Sequence, residues 1–135
     1  MQRIVLDTNC LLISLPKISP YHKVWTDFVS GKYLLCVSNE IIEEYLEVVA
    51  LKTTNTIANN VVSTILNAPN AIMITPYYKF HLIDEDYDDN KFVDCAISSN
   101  ASFIVSNDRH FDVLRKIKFP IVDVVNIRAF CDMLK

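Results

Sequence analysis

An α/β fold built on a mainly parallel sheet is the architecture that this 135-residue sequence predicts. Three observations carry the prediction. Short apolar runs rich in Val, Ile and Leu alternate along the chain with longer stretches of helical periodicity, the pattern of a parallel sheet covered on both faces. Two of the runs end the same way, in small polar residues and a carboxylate: Val5-Leu6-Asp7-Thr8-Asn9 and Val105-Ser106-Asn107-Asp108. The apolar fraction is 51%, with no low-complexity tract, linker-like stretch or internal repeat, which predicts one packed domain over residues 1–135.

Residues 3–7 predict the first strand, ending in Asp7. An ionised carboxylate is rarely buried without a partner, and in open α/β sheets ligands bind at the carboxyl ends of the strands. Asp7 is therefore a candidate for chemistry. The alternative is that it caps a following helix, as Asp often does. Residues 20–30 predict a helix with Tyr21, Val24, Trp25, Phe28 and Val29 on one face and Gly31 at its C-terminal end. Residues 33–37 predict a second strand, followed by Ser38-Asn39 as a helix N-cap.

The helix over 40–52 places Ile41, Ile42, Tyr45, Leu46, Val48 and Val49 on one arc, with Glu43 and Glu47 on the opposite side. Glu44 falls on the rim of the apolar arc, beside Ile41 and Val48, so it can lean into a cleft. Residues 55–67 predict another amphipathic helix, stopped by Pro69, and 71–75 a third strand broken by Pro76. In the helix predicted over 88–100, Asp89 lies in the first turn, in the middle of the apolar face formed by Val93, Cys95, Ala96 and Ile97. Asp94 lies at about 200° from Phe92 on the same wheel, pointing outward. Asp89 needs a partner such as a cation, or serves as a helix cap; the two roles are compatible in a first turn. A strand over 102–106, a short helix over 110–117, a strand over 121–125 and a closing helix over 127–134 complete the chain.

Composition excludes several function classes. Gly31 is the only glycine, so neither a P-loop nor a G-x-G-x-x-G dinucleotide fingerprint is present. Cys10, Cys36, Cys95 and Cys131 form no C-x-x-C pair and predict small buried hydrophobes, not a zinc site or disulfide framework. His22, His81 and His110 form no H-E-x-x-H and predict surface or core histidines. No apolar run reaches membrane-spanning length and the N-terminus lacks a signal-peptide pattern, which predicts a cytoplasmic location. The net charge of −3 does not by itself suggest a nucleic-acid binder. Its distribution is uneven: Asp84, Glu85, Asp86, Asp88, Asp89 and Asp94 crowd one stretch, whereas Arg109, Arg115, Lys116 and Lys118 make a basic segment of candidate phosphate contacts.

Four acids stand out on these grounds: Asp7 and Asp108 at strand ends, Glu44 and Asp89 on helices near their apolar faces. Carboxylates brought together repel one another unless cations neutralise them, and oxygen ligands of this kind suit Mg²⁺ or Mn²⁺. In order and spacing, Val5-Leu6-Asp7-Thr8-Asn9, Ser38 to Glu44-Tyr45, Asp89-Asn90-Lys91-Phe92 with Ala96, and Ile104 to Asp108 resemble the four acidic motifs of PIN domains, in the branch similar to VapC-type toxins of toxin–antitoxin systems. The resemblance implies a three-layer α/β/α fold and a metal-dependent ribonuclease, often dimeric and held inactive by an antitoxin. It implies Asp7, Glu44, Asp89 and Asp108 as the metal-binding, catalytic acids. Thr8, Asn9, Ser106 and Asn107 would be supporting polar positions, and Asp88 or Asp94 alternatives for the third acid. Two other readings stand beside it. One is a haloacid-dehalogenase-type phosphatase with Asp7 as nucleophile and Asp108 with Asp112 as its second acidic pair. The other is a non-catalytic PIN-like protein-binding module.

Overall fold

A computed structural model describes residues 1–76, 78–83, 89–117 and 120–134. Five short strands form one parallel sheet: β1 (Arg3–Leu6), β2 (Leu34–Val37), β3 (Ala71–Met73), β4 (Phe103–Val105) and β5 (Val124–Val125), in the order β3-β2-β1-β4-β5. The α/β prediction holds. In β1, β2 and β4 consecutive residues are buried (Ile4, Val5, Leu6; Leu35, Cys36, Val37; Phe103, Ile104, Val105). Since successive side chains point to opposite faces of a strand, both faces of the central sheet are covered, giving the three-layer α/β/α arrangement.

The helices are α1 (Thr8–Ser14), α2 (His22–Val29), α3 (Asn39–Lys52), α4 (Asn55–Asn67), α5 (Asn90–Ser99) and α6 (Ile127–Met133), with a 3₁₀ helix over Arg109–Lys116. Their ends follow from local chemistry. The side chains of Ser38, Thr54 and Asn126 accept from the backbone N–H of Ile41, Ile57 and Ala129, capping α3, α4 and α6. Gly31, at φ +80°, follows α2 in the left-handed conformation that ends many helices, and Asn100 does the same after α5. α3 is held down by Ile41, Tyr45 and Val49, each wholly buried and each worth about 1.5–3 kcal/mol by area. α5 lies across β1, β2 and β4.

Three sequence expectations need correction. Residues 8–14, where the sequence offers a helix only as the alternative reading of Asp7, form α1; Leu11, Leu12 and Ile13 run together and hide the helical period. The predicted strands over 71–75 and 121–125 shorten to Ala71–Met73 and Val124–Val125. Asp94, expected on the outer face of its helix, is only 5% exposed. Residues 78–83 cover that face: Phe80 N–H donates to Asp94 Oδ1 at 3.0 Å, and the Asn90 carboxamide pairs with both N–H and C=O of Ile83. Burial raises the Asp94 carboxyl above the usual range, opposed mainly by the Phe80 N–H. Cys10, Cys36 and Cys95 are buried free thiols, as expected, and Cys131 is half-buried. No helix among the described residues is long and apolar enough to cross a membrane. Asp84 to Asp88, including the alternative third acid Asp88, and Lys118 lie outside the described residues.

Candidate metal centre

The site follows from strand order. β1 and β4 are neighbours in parallel register, with Leu6 opposite Val105, and Asp7 N–H continues the ladder by donating to the Val105 carbonyl at 3.0 Å. The residues after each strand therefore emerge together at the carboxyl edge. This is also the position where the strand order reverses, between β1-β2-β3 and β4-β5, the crevice in which open α/β sheets bind ligands.

Asp7 occupies the N-cap position of α1, yet its side chain makes no capping bond. Its Oδ2 instead accepts from Ser106 Oγ at 2.8 Å, and Ser106 Oγ in turn accepts from Asp108 N–H at 3.0 Å. The two strand-end motifs are thus wired to each other through one serine. Asp7 is 6% exposed. Burial pushes its carboxyl up from the ordinary 3.8 to about 6, with Asp108 and Glu44 adding repulsion and the Ser106 hydroxyl and Thr8 N–H opposing. Asp7, Asn9, Asn107 and Asp108 line one cavity of about 290 Å³.

Asp89 is likewise an N-cap residue whose side chain does not cap its helix. Its Oδ2 lies 3.4 Å from His110 Nδ1, which is also 3.4 Å from Asp108 Oδ1. The 3₁₀ turn sets this geometry, since Asp108 Oδ1 accepts from His110 N–H at 2.9 Å and so folds the imidazole back over the carboxylate. Asp89, Asp108 and His110 each present one ligand atom within 4.8 Å of the others, a mixed oxygen–nitrogen set suited to a divalent ion. Sequence reasoning placed His110 on the surface or in the core. Its signal, a histidine two residues after a strand-end aspartate, has meaning only once the turn is known.

Glu44 leans toward the centre as its rim position predicts, while Glu43 and Glu47 are exposed. Both its oxygens are engaged: Lys91 Nζ lies 2.7 Å from Oε1, and Thr8 Oγ1 donates to Oε2. The Tyr45 hydroxyl, one residue on, donates to the Leu6 carbonyl and ties α3 to the end of β1. Asn107 Oδ1 accepts from Ile127 N–H at 3.0 Å, anchoring α6. The structure thus gathers Asp7, Glu44, Asp89 and Asp108 at one edge of the sheet, with Thr8 and Ser106 as their fastenings and Asn107 tied to α6 beside them. Asp94 faces the 78–83 segment instead.

The basic side chains divide. Arg109 and Arg115 line a cavity of about 400 Å³ beside Asp108, together with Tyr21, Asp112, Asn126 and Arg128. Lys116 is exposed and is not part of that lining. Arg128 could not be read from the sequence, because it reaches the cavity from α6.

The family model of the PIN domain matches residues 3–110, a span that contains all four acids and His110. The chain belongs to the PIN domain family. This PIN domain chain matches no curated protein sequence. Among solved structures it is similar in fold to a chain in the crystal structure of VapBC2 from Rickettsia felis bound to a DNA fragment from their promoter. The TM-score is 0.63 at 16% identity, over 92% of this PIN domain chain and 98% of that one.

Proposed function

We propose that this PIN domain protein is a divalent-metal-dependent endoribonuclease, the toxin component of a toxin–antitoxin system, acting in the cytoplasm as a single domain over residues 1–135. The observation that carries this reading is the convergence of Asp7, Asp89 and Asp108 with His110 at the β1/β4 edge of a PIN fold. The fold likeness to a VapBC2 chain supports an antitoxin protein as partner, and a homodimer belongs to the same reading.

The donor set fits Mg²⁺ or Mn²⁺: two carboxylates and an imidazole stand within reach of one another, and Asp7, whose burial makes its charge costly, gains from a nearby cation. Asp89, Asp108 and His110 would hold the ion, with Asp7 adjoining. When bound, such an ion supplies positive charge to a phosphodiester in its transition state and acidifies water. The chain's own residues do the rest. Ser106 Oγ holds Asp7 and the Asp108 backbone in one arrangement, so the carboxylates need not reorganise as charge develops. Asp7, held by Ser106 at the carboxyl end of β1, is suited by its position to accept a proton from an attacking water.

Charge asymmetry gives the RNA a path. On one side of the acids, a groove is lined by Glu40, Glu43, Glu44 and Glu47, which repels phosphate. On the other, Arg109, Arg115 and Arg128 surround the cavity beside Asp108, and arginine's planar fork suits phosphate oxygens. The strand crosses the centre toward the arginine side, with Tyr21 offering a ring for a base. Membership of the PIN family accounts for Asp7 without a phosphatase-type nucleophile.

The test is incubation of purified protein with a pool of structured and unstructured RNAs in Mg²⁺, Mn²⁺ or chelator. Cleavage is expected with metal, and is expected to vanish with chelator and in Asp7→Asn and Asp108→Asn variants that retain cooperative unfolding. Metal-independent cleavage, or full activity in both variants, would refute the reading. No cleavage and no Mg²⁺ or Mn²⁺ stabilisation would favour the non-catalytic binding module.

A further inference from the structure

The 3₁₀ helix over Arg109–Lys116 repeats every three residues, so side chains three apart stand in line. Phe111 and Leu114 make its buried row. Arg109, Asp112 and Arg115 make another, and all three line the cavity of about 400 Å³ beside Asp108, whereas Lys116 falls off both the row and the cavity. The rise of such a helix sets the aspartate about 6 Å along the axis from each arginine. Even so, among the described residues Asp112, Arg109 and Arg115 make no ion pair within 4.0 Å. The other carboxylate and carboxamide side chains of the lining are engaged: an oxygen of Asn107, Asp108 and Asn126 accepts from the backbone N–H of Ile127, His110 and Ala129. Among the described residues, Asp112 is the lining side chain of this kind whose oxygens hold nothing.

An acid in this place works against a cavity that takes RNA, because it repels phosphate and offsets one of the three arginines, Arg109, Arg115 and Arg128. Its chemistry suits a base instead. A carboxylate accepts two parallel hydrogen bonds, and of the RNA bases guanine alone presents two adjacent donors on its Watson–Crick edge, N1–H and the 2-amino group. Guanine also offers O6 and N7 as a pair of acceptors, which the fork of an arginine matches. The row of Arg109, Asp112 and Arg115 therefore carries, side by side, partners for both edges of one base. Tyr21, half-buried at the start of α2, lines the same cavity and gives the ring a stacking surface. We propose that this cavity is a nucleotide subsite selective for guanine: Asp112 reads N1–H and the 2-amino group, and Arg109, the arginine next to Asp108 in the chain, takes O6 and N7. Arg115 and Arg128 are left for phosphate. This rests on the ribonuclease reading above and goes beyond it by naming the base.

The experiment is fluorescence anisotropy on the purified full chain in chelator, with a labelled oligouridylate carrying one central guanosine. The same strand with inosine, adenosine, cytidine or uridine at that position is the comparison, so the phosphates stay constant and only the base changes. Wild type is expected to bind the guanosine strand roughly fivefold or more tightly than the others, the discrimination of one good bidentate contact. Inosine, which lacks only the 2-amino group, is expected to lose most of that preference. Asp112→Asn is expected to weaken the guanosine strand by a similar factor while the other strands hold or tighten, because a negative charge has left their path. Equal binding of all strands by wild type would overturn the subsite. So would an Asp112→Asn variant that tightens the guanosine strand along with the rest, since Asp112 would then act only as a repulsive charge. Should that variant fail to unfold cooperatively, the guanosine and inosine strands on wild type decide alone. Guanosine preference in a chain that cleaves no RNA would leave the subsite standing and remove the ribonuclease reading; metal-dependent cleavage without the preference would do the reverse.

Discussion

At the scale of single residues, the centre trades stability for chemistry, and Asp7 shows how. A carboxyl raised by burial from 3.8 to about 6 binds its proton more tightly in the folded protein than in the unfolded chain. In metal-free protein its contribution is therefore most favourable below about pH 3.8 and is lost as pH rises toward 6, after which it stays lost. The full difference is on the order of 3 kcal/mol. Asp7→Asn is expected to abolish cleavage and yet raise metal-free stability at pH 7, by up to that amount. The gain over wild type should grow between pH 4 and pH 6. Urea unfolding in chelator across that range checks it; a variant less stable than wild type at pH 7 would show that the Asp7 charge is already compensated. His110 supports a second expectation. An imidazole between two carboxylates favours Mn²⁺ over the oxygen-seeking Mg²⁺. His110→Ala should weaken Mn²⁺ binding by roughly tenfold or more and narrow its advantage over Mg²⁺, as measured by calorimetry.

Elements matter here mainly for where they start. The two centre acids with no strand of their own to follow, Glu44 and Asp89, depend on how α3 and α5 are seated. Tyr45 seats α3: it is wholly buried, and its hydroxyl satisfies the Leu6 carbonyl one residue before Asp7. Tyr45→Phe leaves that carbonyl without its side-chain donor and is expected to cost about 1–2 kcal/mol in urea unfolding, with a fall in cleavage from misplacement of the β1 end. Ser38→Ala removes the cap of the same helix and is expected to cost about 1 kcal/mol in the same measurement. Unchanged stability in either variant would contradict the role given to its hydroxyl.

Across the whole molecule, the net charge of −3 hides a division that suits a nuclease: glutamates on the α3 side of the centre, arginines on the α6 side. Arg115→Ala and Arg128→Ala should each weaken RNA binding. Each should also reduce the steepness of its salt dependence by about 0.7 in log–log slope, the value for one phosphate contact on a single strand. Fluorescence anisotropy over a salt series tests this, and Lys116→Ala, lying off the cavity, is the comparison expected to change the slope less. Equal slopes in wild type, Arg115→Ala and Arg128→Ala would remove the arginine cavity from the substrate path.

The order of elements from residue 20 onward, the parallel sheet, the buried start at β1 and the rim position of Glu44 were legible in the sequence, because periodicity and capping are local properties that a few neighbouring residues decide. The four acids were legible as a set because three of them sit at places, strand ends and a buried first turn, where a carboxylate has no packing reason to be. Pairings across the chain were not legible. That Asp89 meets His110, that Lys91 reaches Glu44, that Arg128 arrives from α6 and that residues 78–83 cover Asp94 depend on β1 and β4 lying side by side and on α5 crossing them. Residues distant in sequence meet only after the sheet has closed, so their hydrogen bonds and charges belong to the tertiary structure alone.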